Sequence, residues 1–336
     1  MGYAQAGVDI EAGNEAVRMM KKAIQRTYSP QVLSGVGHFG GLFDAALLAK
    51  MDQPVLVAST DGVGTKTMVA AKLDRWDTIG QDLVNHCIND ILVQGARPLF
   101  FLDYVASSKL NPEQMAQIVG GMAAACQAAH CAILGGETAE MPGVYQSGQV
   151  DLVGTIIGAV DRAQVITGET IQPGDLLIGL PSSGLHTNGY SLARLALKEL
   201  DWNEPRADLH DQSIGDALLA IHTSYLEPVS RLLDAGLEVK GLAHITGGGL
   251  IDNLPRILPK GCTAQIDTES WARPPIFDLI RQQGGINEAE LWRVFNMGTG
   301  MVVELSPESL EEASKRVDES YLIGEIVKGD QQVILE

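Results

Sequence analysis

The sequence predicts an α/β protein with mixed sheets, organised as two domains. Three observations carry that prediction. Apolar runs of strand length lead into glycine-rich turns and then into segments of helical period, and the pattern recurs in both halves of the chain. The chain has 336 residues, enough for two domains or for one large α/β unit. Between Asp161 and Asp175, Thr167-Gly168-Glu169 and Pro173-Gly174-Asp175 make a polar, turn-rich break that sets the expected domains at 1–165 and 166–336.

In the first half, Gly7 to Asn14 is expected as a loop and Glu15 to Tyr28 as a helix with Val17, Met20 and Ile24 on one face. Ser34 to Gly41 is too rich in glycine for regular structure; it reads as a flap over a ligand or as a plain loose loop. Pro54 to Ser59 is an apolar strand, and Thr67 to Leu73 a helix. Thr78 to Gly95 reads as one helix ended by Gly95 with Pro98 beyond it. Leu99 to Val105 is a largely buried strand. Asn111-Pro112-Glu113-Gln114 gives an N-cap and a proline at the first helical position, so a helix runs to about His130. Cys131 to Leu134 is a short strand ending in Gly135-Gly136-Glu137-Thr138, and Leu152 to Val160 closes this half as a strand.

The second half repeats the pattern. Strand Leu176 to Leu180 turns through Pro181 to Tyr190 into a helix reaching Leu197. Helical period resumes from Ile214 to Ala235, with an interruption expected at Pro228. Strand Val239 to Ile245 leads to Thr246-Gly247-Gly248-Gly249 and a helix to Leu258. Phe295 to Met301 precedes strand Val302 to Leu305, Ser306-Pro307-Glu308 opens a helix to about Ser320, and strands Tyr321 to Val327 and Gln332 to Leu335 finish the chain.

Composition excludes several functions. A net charge of −18 argues against a nucleic-acid surface, because phosphate backbones are bound by Lys and Arg. Any anionic ligand must therefore be held by local amide nests, a few cations or bound metal. No run is long and apolar enough to span a bilayer. The N-terminal stretch carries acid rather than a basic region before an apolar one, so a cytoplasmic protein is expected. The four cysteines, Cys87, Cys126, Cys131 and Cys262, form no Cys-x-x-Cys pair and read as buried thiols.

Two stretches carry chemistry. Asp61-Gly62-Val63-Gly64-Thr65-Lys66 is a strand-to-helix turn whose glycines, Gly62 and Gly64, let the backbone approach an anion. It lacks the Walker spacing. A carboxylate beside phosphate is favourable only when a divalent cation bridges the two; the alternative is a surface turn with a solvated Asp61 and Lys66. The helix from Thr78 sets Leu83, Val84, Cys87, Ile88, Ile91 and Leu92 on one face and Asp82, Asn85, His86, Asn89 and Asp90 on the other. Short amides, carboxylates and an imidazole suit ordered hydrogen bonding or metal ligation better than a solvated surface.

Asp90-Ile91-Leu92-Val93-Gln94-Gly95-Ala96-Arg97-Pro98, together with the Asp61 hexapeptide, resembles the ATP-binding superfamily that includes aminoimidazole ribonucleotide synthetase. Gly7 to Ile10, Gly135 to Gly143, Ser182-Ser183-Gly184 with His186 and Asn188 to Ser191, and Thr246 to Gly249 are similar to its ring-closing cyclo-ligase family, over nearly the whole chain. The resemblance implies a two-domain α/β subunit, with an N-terminal domain that forms a dimer sheet or barrel and a C-terminal domain of mixed sheet flanked by helices. It implies a homodimer, ATP with Mg²⁺, a small phosphorylated ribonucleotide as substrate, and ATP-dependent cyclisation of formylglycinamidine ribonucleotide in purine biosynthesis. Asp61, Asp90 and Glu137 are then the expected Mg²⁺ ligands, and Asp61, Lys66, Asp90 and His186 the catalytic set, with Lys66 offsetting triphosphate charge. Gly62, Gly64, Thr65, Asn89, Gly136, Thr138, Asn188, Gly247 and Gly248 are the expected nucleotide- and phosphate-binding positions. Rival readings are another phosphoryl-activating enzyme of the superfamily, such as selenophosphate synthetase or thiamin-monophosphate kinase, and a non-catalytic nucleotide-binding module.

Overall fold

Strand-to-helix alternation resolves into two units, one formed by residues 1–91 and 96–164, the other by residues 92–95 and 165–336. The computed structural model describes residues 9–35 and 37–336, so Gly7 and Val8 of the expected N-terminal loop lie outside the described residues.

The first unit runs α1 (Ile10–Gln25), β1 (Pro54–Gly62), α2 (Lys66–Leu73), α3 (Ile79–Leu92), β2 (Arg97–Ser107), α4 (Pro112–Ala128), β3 (Ala132–Glu140) and β4 (Val150–Asp161). Helix α1 begins five residues earlier than the sequence pattern indicates. Asp9 caps it by accepting from the amide of Ala12, so Ile10 to Asn14 form its first turns rather than a loop. Helix α4 starts as expected, with the Asn111 side chain accepting from the Gln114 amide and Pro112 at the first position.

The strands form one sheet in the order β1-β4-β2-β3, antiparallel except for the parallel β2/β3 pair. Helix α3 lies against one face. Its apolar residues Leu83, Val84, Cys87, Ile88 and Ile91 are fully buried, and so on its other side are Asp82 and Asn89. A helix whose polar side is mostly buried must satisfy most of its polar groups internally, which is why that side carries short polar residues. Close approach of α3 to α4 depends on glycine: a Cβ at Gly80 would fall onto the Ile118 carbonyl, and one at Gly121 would lie 2.7 Å from the Asp77 carbonyl.

Two strands are longer than their apolar runs. β1 extends through Asp61 and Gly62, paired to Gly154 and Val153, so Asp61 sits on a strand rather than in the turn. β3 extends through Gly135-Gly136-Glu137-Thr138 to Glu140, paired with Leu102 to Ser107 of β2. Backbone pairing to a buried neighbour overrides the weak strand propensity of those glycines.

The second unit contains β5 (Leu176–Pro181), α5 (Tyr190–Ala196), the short pair β6 (Pro205–Arg206) and β7 (Gln212–Ser213), α6 (Ile214–Leu218), α7 (Leu226–Asp234), β8 (Val239–His244), α8 (Gly249–Asn253), β9 (Gly261–Ile266), α9 (Pro275–Gly284), α10 (Glu288–Val294), β10 (Thr299–Leu305), α11 (Leu310–Arg316), β11 (Tyr321–Gly329) and β12 (Val333–Leu335). Its six-stranded sheet has the order β12-β9-β11-β5-β10-β8, antiparallel apart from β12 on β9. The helical pattern from Ile214 breaks between Leu218 and Leu226, not at Pro228. Pro228 is the third residue of α7, where no intrahelical amide bond is lost.

Two features of this unit's interior bear on later sections. Trp271 stacks on Tyr321 with ring centroids 5.9 Å apart, meets Trp292 edge-on, and donates its indole N–H to the Met297 carbonyl. Asp175 and Lys240 form a buried ion pair of 2.6 Å. Near Asp175, Glu304 of β10 is fully buried, and neither of its carboxyl oxygens has a hydrogen-bond partner. Burial, with a further push from the Asp175 charge, raises the Glu304 pKa well above the carboxylate range.

Candidate active site

In the first unit, β1 and α3 bring Asp61 and Asp90 together. Asp61 is the penultimate residue of β1, on the face that meets α3, and Asp90 lies one helical turn beyond His86 on α3. Nε2 of His86 is 2.9 Å from Asp61 Oδ2 and 3.7 Å from Asp90 Oδ2. Ser59, two residues before Asp61 and so on the same strand face, donates its hydroxyl to Asp90 Oδ2 at 3.0 Å. The amide of Gly62 donates to Asp61 Oδ1.

Electrostatics follow from this geometry. Burial alone would lower the His86 pKa, but the bond to Asp61 and the charges of Asp90, Asp61 and Asp82 outweigh it and raise the imidazolium above its ordinary value. Burial works against ionised Asp61 as well, yet its bonds to His86 and Gly62 hold the carboxyl below its usual range. His86 is thus the chain's own counter-charge between two carboxylates. Ligand atoms of Asp61, His86 and Asp90 all lie within 4.8 Å of one another. Two convergent carboxylate oxygens are the donor set a small hard cation takes, with water completing its shell, so these residues fit a divalent cation such as Mg²⁺.

The other expected positions separate. Lys66, at the start of α2, is fully buried, and its ammonium pairs with Asp82 of α3 at 2.9 Å. The expected cation at the turn is therefore built into the interior of the unit. Gly64 takes a left-handed conformation, φ 53°, and sets Thr65 at the N-cap of α2. Asn89 is fully buried on α3. Glu137 is three strands from Asp61, about 14 Å at ordinary strand spacing. Register also puts it on the opposite face: Asp61, Gly154, Asp103 and Gly136 lie in one row across the sheet, so Glu137, paired with Tyr104, points the other way. The three-carboxylate cage expected from sequence is not assembled within one chain. Thr138 continues β3 opposite Val105.

Asp103 escaped the sequence reading. It interrupts the apolar strand Leu99 to Val105, which was its only signal. It lines a cavity of about 390 Å³ with Asn14, His38, Gly136 and Thr138. A Cβ at Gly136 would collide with the Asp103 carboxylate, so the glycine makes room for the acid. Burial pushes the Asp103 pKa up to about 7.

In the second unit two glycine loops come together. His186 is buried with φ 61°, and its Nε2 accepts from the amides of Ser183 and Thr223. That makes it a pin of the loop after β5. The Gly184 carbonyl is held by Ser182 and Asn296. A Cβ at Gly247 would lie 3.3 Å from Asn188 Oδ1, so the loop after β8 touches the loop after β5. Gly248 has φ 96°, and Asn253 ties down the carbonyls of Gly247 and Gly249. With those carbonyls bound inward and the Gly249 amide given to the Thr246 carbonyl, the amides of Gly247 and Gly248 are the ones such a loop can offer an anion.

Two family models match the chain: the N-terminal domain of AIR synthase related proteins over residues 43–160 and the C-terminal domain over residues 172–336. The protein is thus an AIR synthase related protein with both domains. Among curated proteins it is 52% identical over 334 residues to phosphoribosylformylglycinamidine cyclo-ligase of Geobacillus kaustophilus, covering 97% of this chain and 96% of that one. It is 50% identical over 332 residues to the enzyme of the same name from Desulfitobacterium hafniense, covering 97% of each. The chain belongs to the phosphoribosylformylglycinamidine cyclo-ligase family. Solved structures of similar fold include Escherichia coli HypE, a hydrogenase maturation protein (TM-score 0.69, 18% identity, 96% of this chain and 93% of that one). Thiamine-monophosphate kinase from Stenotrophomonas maltophilia is another (TM-score 0.67, 18% identity, 96% of each). HypE has also been solved in complex with ATP (TM-score 0.68, 17% identity, 96% of this chain and 91% of that one).

Proposed function

We propose that this chain closes the imidazole ring of aminoimidazole ribonucleotide from formylglycinamidine ribonucleotide, using ATP and releasing ADP and phosphate, in purine biosynthesis. The observation that carries the proposal is the meeting of Asp61 and Asp90 at His86 in a chain half-identical to named cyclo-ligases. An amide oxygen is a poor leaving group. Transfer of the γ-phosphoryl group to the formyl oxygen makes it a good one; the amidine-side nitrogen then attacks the formyl carbon, and phosphate departs with that oxygen.

Such a transfer needs alignment and charge neutralisation more than covalent help. Asp61 and Asp90 would hold Mg²⁺, which when bound offsets triphosphate charge. Gly62, Gly64 and Thr65 bring backbone close to the phosphates. His86 keeps Asp61 ionised and oriented. Lys66 acts through Asp82, fixing the start of α2 against α3. The loops at 184–189 and 246–249 would take the ribose 5-phosphate, and ATP binding is assigned to the first domain.

A homodimer through the first domain is supported by the open face of its sheet, where Leu56 is 62% exposed and Glu137 and Tyr104 lie. Four buried, unbridged thiols favour the cytoplasm. Among the described residues no helix is long and apolar enough to cross a membrane.

Purified protein given ATP, Mg²⁺ and formylglycinamidine ribonucleotide should yield ADP, phosphate and aminoimidazole ribonucleotide in equal amounts. Absence of product at every metal concentration overturns the proposal.

A further inference from the structure

The cavity beside Asp103 is lined from α1, α4 and the β2/β3 pair of the first unit. On α1, Ile10, Asn14, Val17, Met20 and Ile24 recur at helical spacing and turn one face to it. Ile10 and Val17 on that face remain 60% and 43% exposed. Val119 of α4 and Ile133 of β3 add further apolar wall, and polar side chains are few, Asp103, Asn14 and Thr138 among them. No Lys or Arg lines the cavity among the described residues, so its chemistry does not suit a phosphate.

Asp103 is the charged group this cavity is shaped around. A Cβ at Gly136 would take the place of its Oδ1, so the neighbouring strand is bare where the carboxyl lies. Burial holds the carboxyl at about 7, and no cation among the described residues offsets that push. Such a group serves both as an acid, with one O–H donor and one acceptor oxygen, and as a carboxylate with two acceptors.

We propose that this cavity binds an N–C–N edge, two nitrogens on one carbon, and that Asp103 is the residue that pairs with both nitrogens. The inference rests on the substrates proposed above, each of which carries such an edge: the amidine of the ribonucleotide, and N1, C6 and N6 of the adenine of ATP.

A carboxyl group presents two oxygens on one carbon, so it meets an N–C–N edge through two parallel hydrogen bonds. With an amidinium, the carboxylate accepts both. With adenine, the acid O–H donates to N1 and the other oxygen accepts from N6. The apolar side chains of α1, Val119 and Ile133 suit the faces of a planar group while Asp103 takes its edge, and a volume of about 390 Å³ has room for either one.

Two variants of the full chain test the pairing. Asp103→Leu has about the size of the acid and no polar atom, whereas Asp103→Asn keeps one donor side and one acceptor but no charge. In Asp103→Leu the KM for one of the two substrates should rise about tenfold or more, while the KM for the other stays within about twofold. If the edge is that of adenine, the KM for ATP is the one that rises, and Asp103→Asn restores it, because an amide pairs with N1 and N6 as the acid does. If the edge is the amidine, the KM for the ribonucleotide rises and Asp103→Asn does not restore it. Unchanged KM values for both substrates overturn the proposal, as do equal rises in both, the mark of a distorted fold. Carbon-13 spectra of the wild-type aspartate carboxyl groups give a reading without turnover. The Asp103 signal should shift saturably with adenosine or with acetamidinium, and should stay still with purine riboside, which lacks N6, and with tetramethylammonium, which has no N–H. No saturable shift with either probe also overturns the proposal. Should the wild type lack cyclo-ligase turnover, the functional reading fails, while these spectra still decide the role of Asp103.

Discussion

Asp61 on β1 and Asp90 on α3 face one another across a single nitrogen, Nε2 of His86, at 2.9 and 3.7 Å. Each carboxylate alone is an ordinary polar residue; together they set two oxygens around one shared counter-charge. Asp90→Asn should lower turnover by roughly two orders of magnitude or more, the usual cost of removing a preorganised charge from a phosphoryl-transfer site. Circular dichroism and the thermal midpoint should stay near wild type, since asparagine keeps the shape of Asp90 and an acceptor oxygen for the Ser59 hydroxyl. Unchanged steady-state turnover would remove Asp90 from the site.

Lys66 and Asp82 predict a stability effect rather than a kinetic one. Both are wholly buried. Lys66→Met leaves Asp82 as a buried charge without its ammonium and should cost about 3–5 kcal/mol in urea unfolding. The double variant Lys66→Met with Asp82→Leu should regain much of that loss. A Lys66→Met protein of normal stability with an elevated KM for ATP would return Lys66 to the nucleotide.

Glu304 gives a pH dependence whose sign is fixed. Its folded pKa lies well above the ordinary carboxylate value, so above that ordinary value the native state keeps a proton that the unfolded chain releases. The native state then binds more protons, and the contribution of Glu304 to stability falls as pH rises through that window. Glu304→Gln carries no such proton. Urea midpoints measured at pH 5 and pH 8 should fall further with rising pH for the wild type than for the variant. Parallel curves would show that Glu304 is ionised in the fold.

Gly80 tests how the carboxylate pair is held. Because α3 reaches its position through a contact with the Ile118 carbonyl that admits no Cβ, Gly80→Ala must push α3 away from α4. A loss of about 1–3 kcal/mol is expected, the range for overpacking. Reduced turnover should accompany it, since Asp90 and His86 ride on the same helix. A variant with wild-type stability and turnover would mean that α3 relaxes at no cost.

Much of the site was legible because chemistry was concentrated in short stretches. The polar face of α3 stood out by its lack of long charged side chains, and the Asp61 turn by its glycines. Which of those residues meet was not legible. Sheet order is a long-range property, and it is the order β1-β4-β2-β3 that separates Glu137 from Asp61. Likewise Lys66 read as a cation for the triphosphate because nothing local announces its pairing with Asp82, sixteen residues on. Helices α9 and α10 and strand β9 passed unnoticed, although α9 alone buries Ile276, Phe277, Leu279 and Ile280, since each is too short for its period to stand out.

The aromatic cluster around Trp271 makes one part of the molecule visible to light. Three of the four tryptophans, Trp202, Trp271 and Trp292, belong to the second unit, while Trp76 is the sole indole of the first. Trp271 hangs on the carbonyl of Met297, at a turn where Met297 and Gly298 both take left-handed conformations. With Trp76 and Trp202 replaced by Phe, emission would come from Trp271 and Trp292, so its wavelength and yield would register any unwinding of that turn. The chain thus carries a built-in fluorophore at the entrance to β10, the strand to which β8 and its terminal His244 are paired.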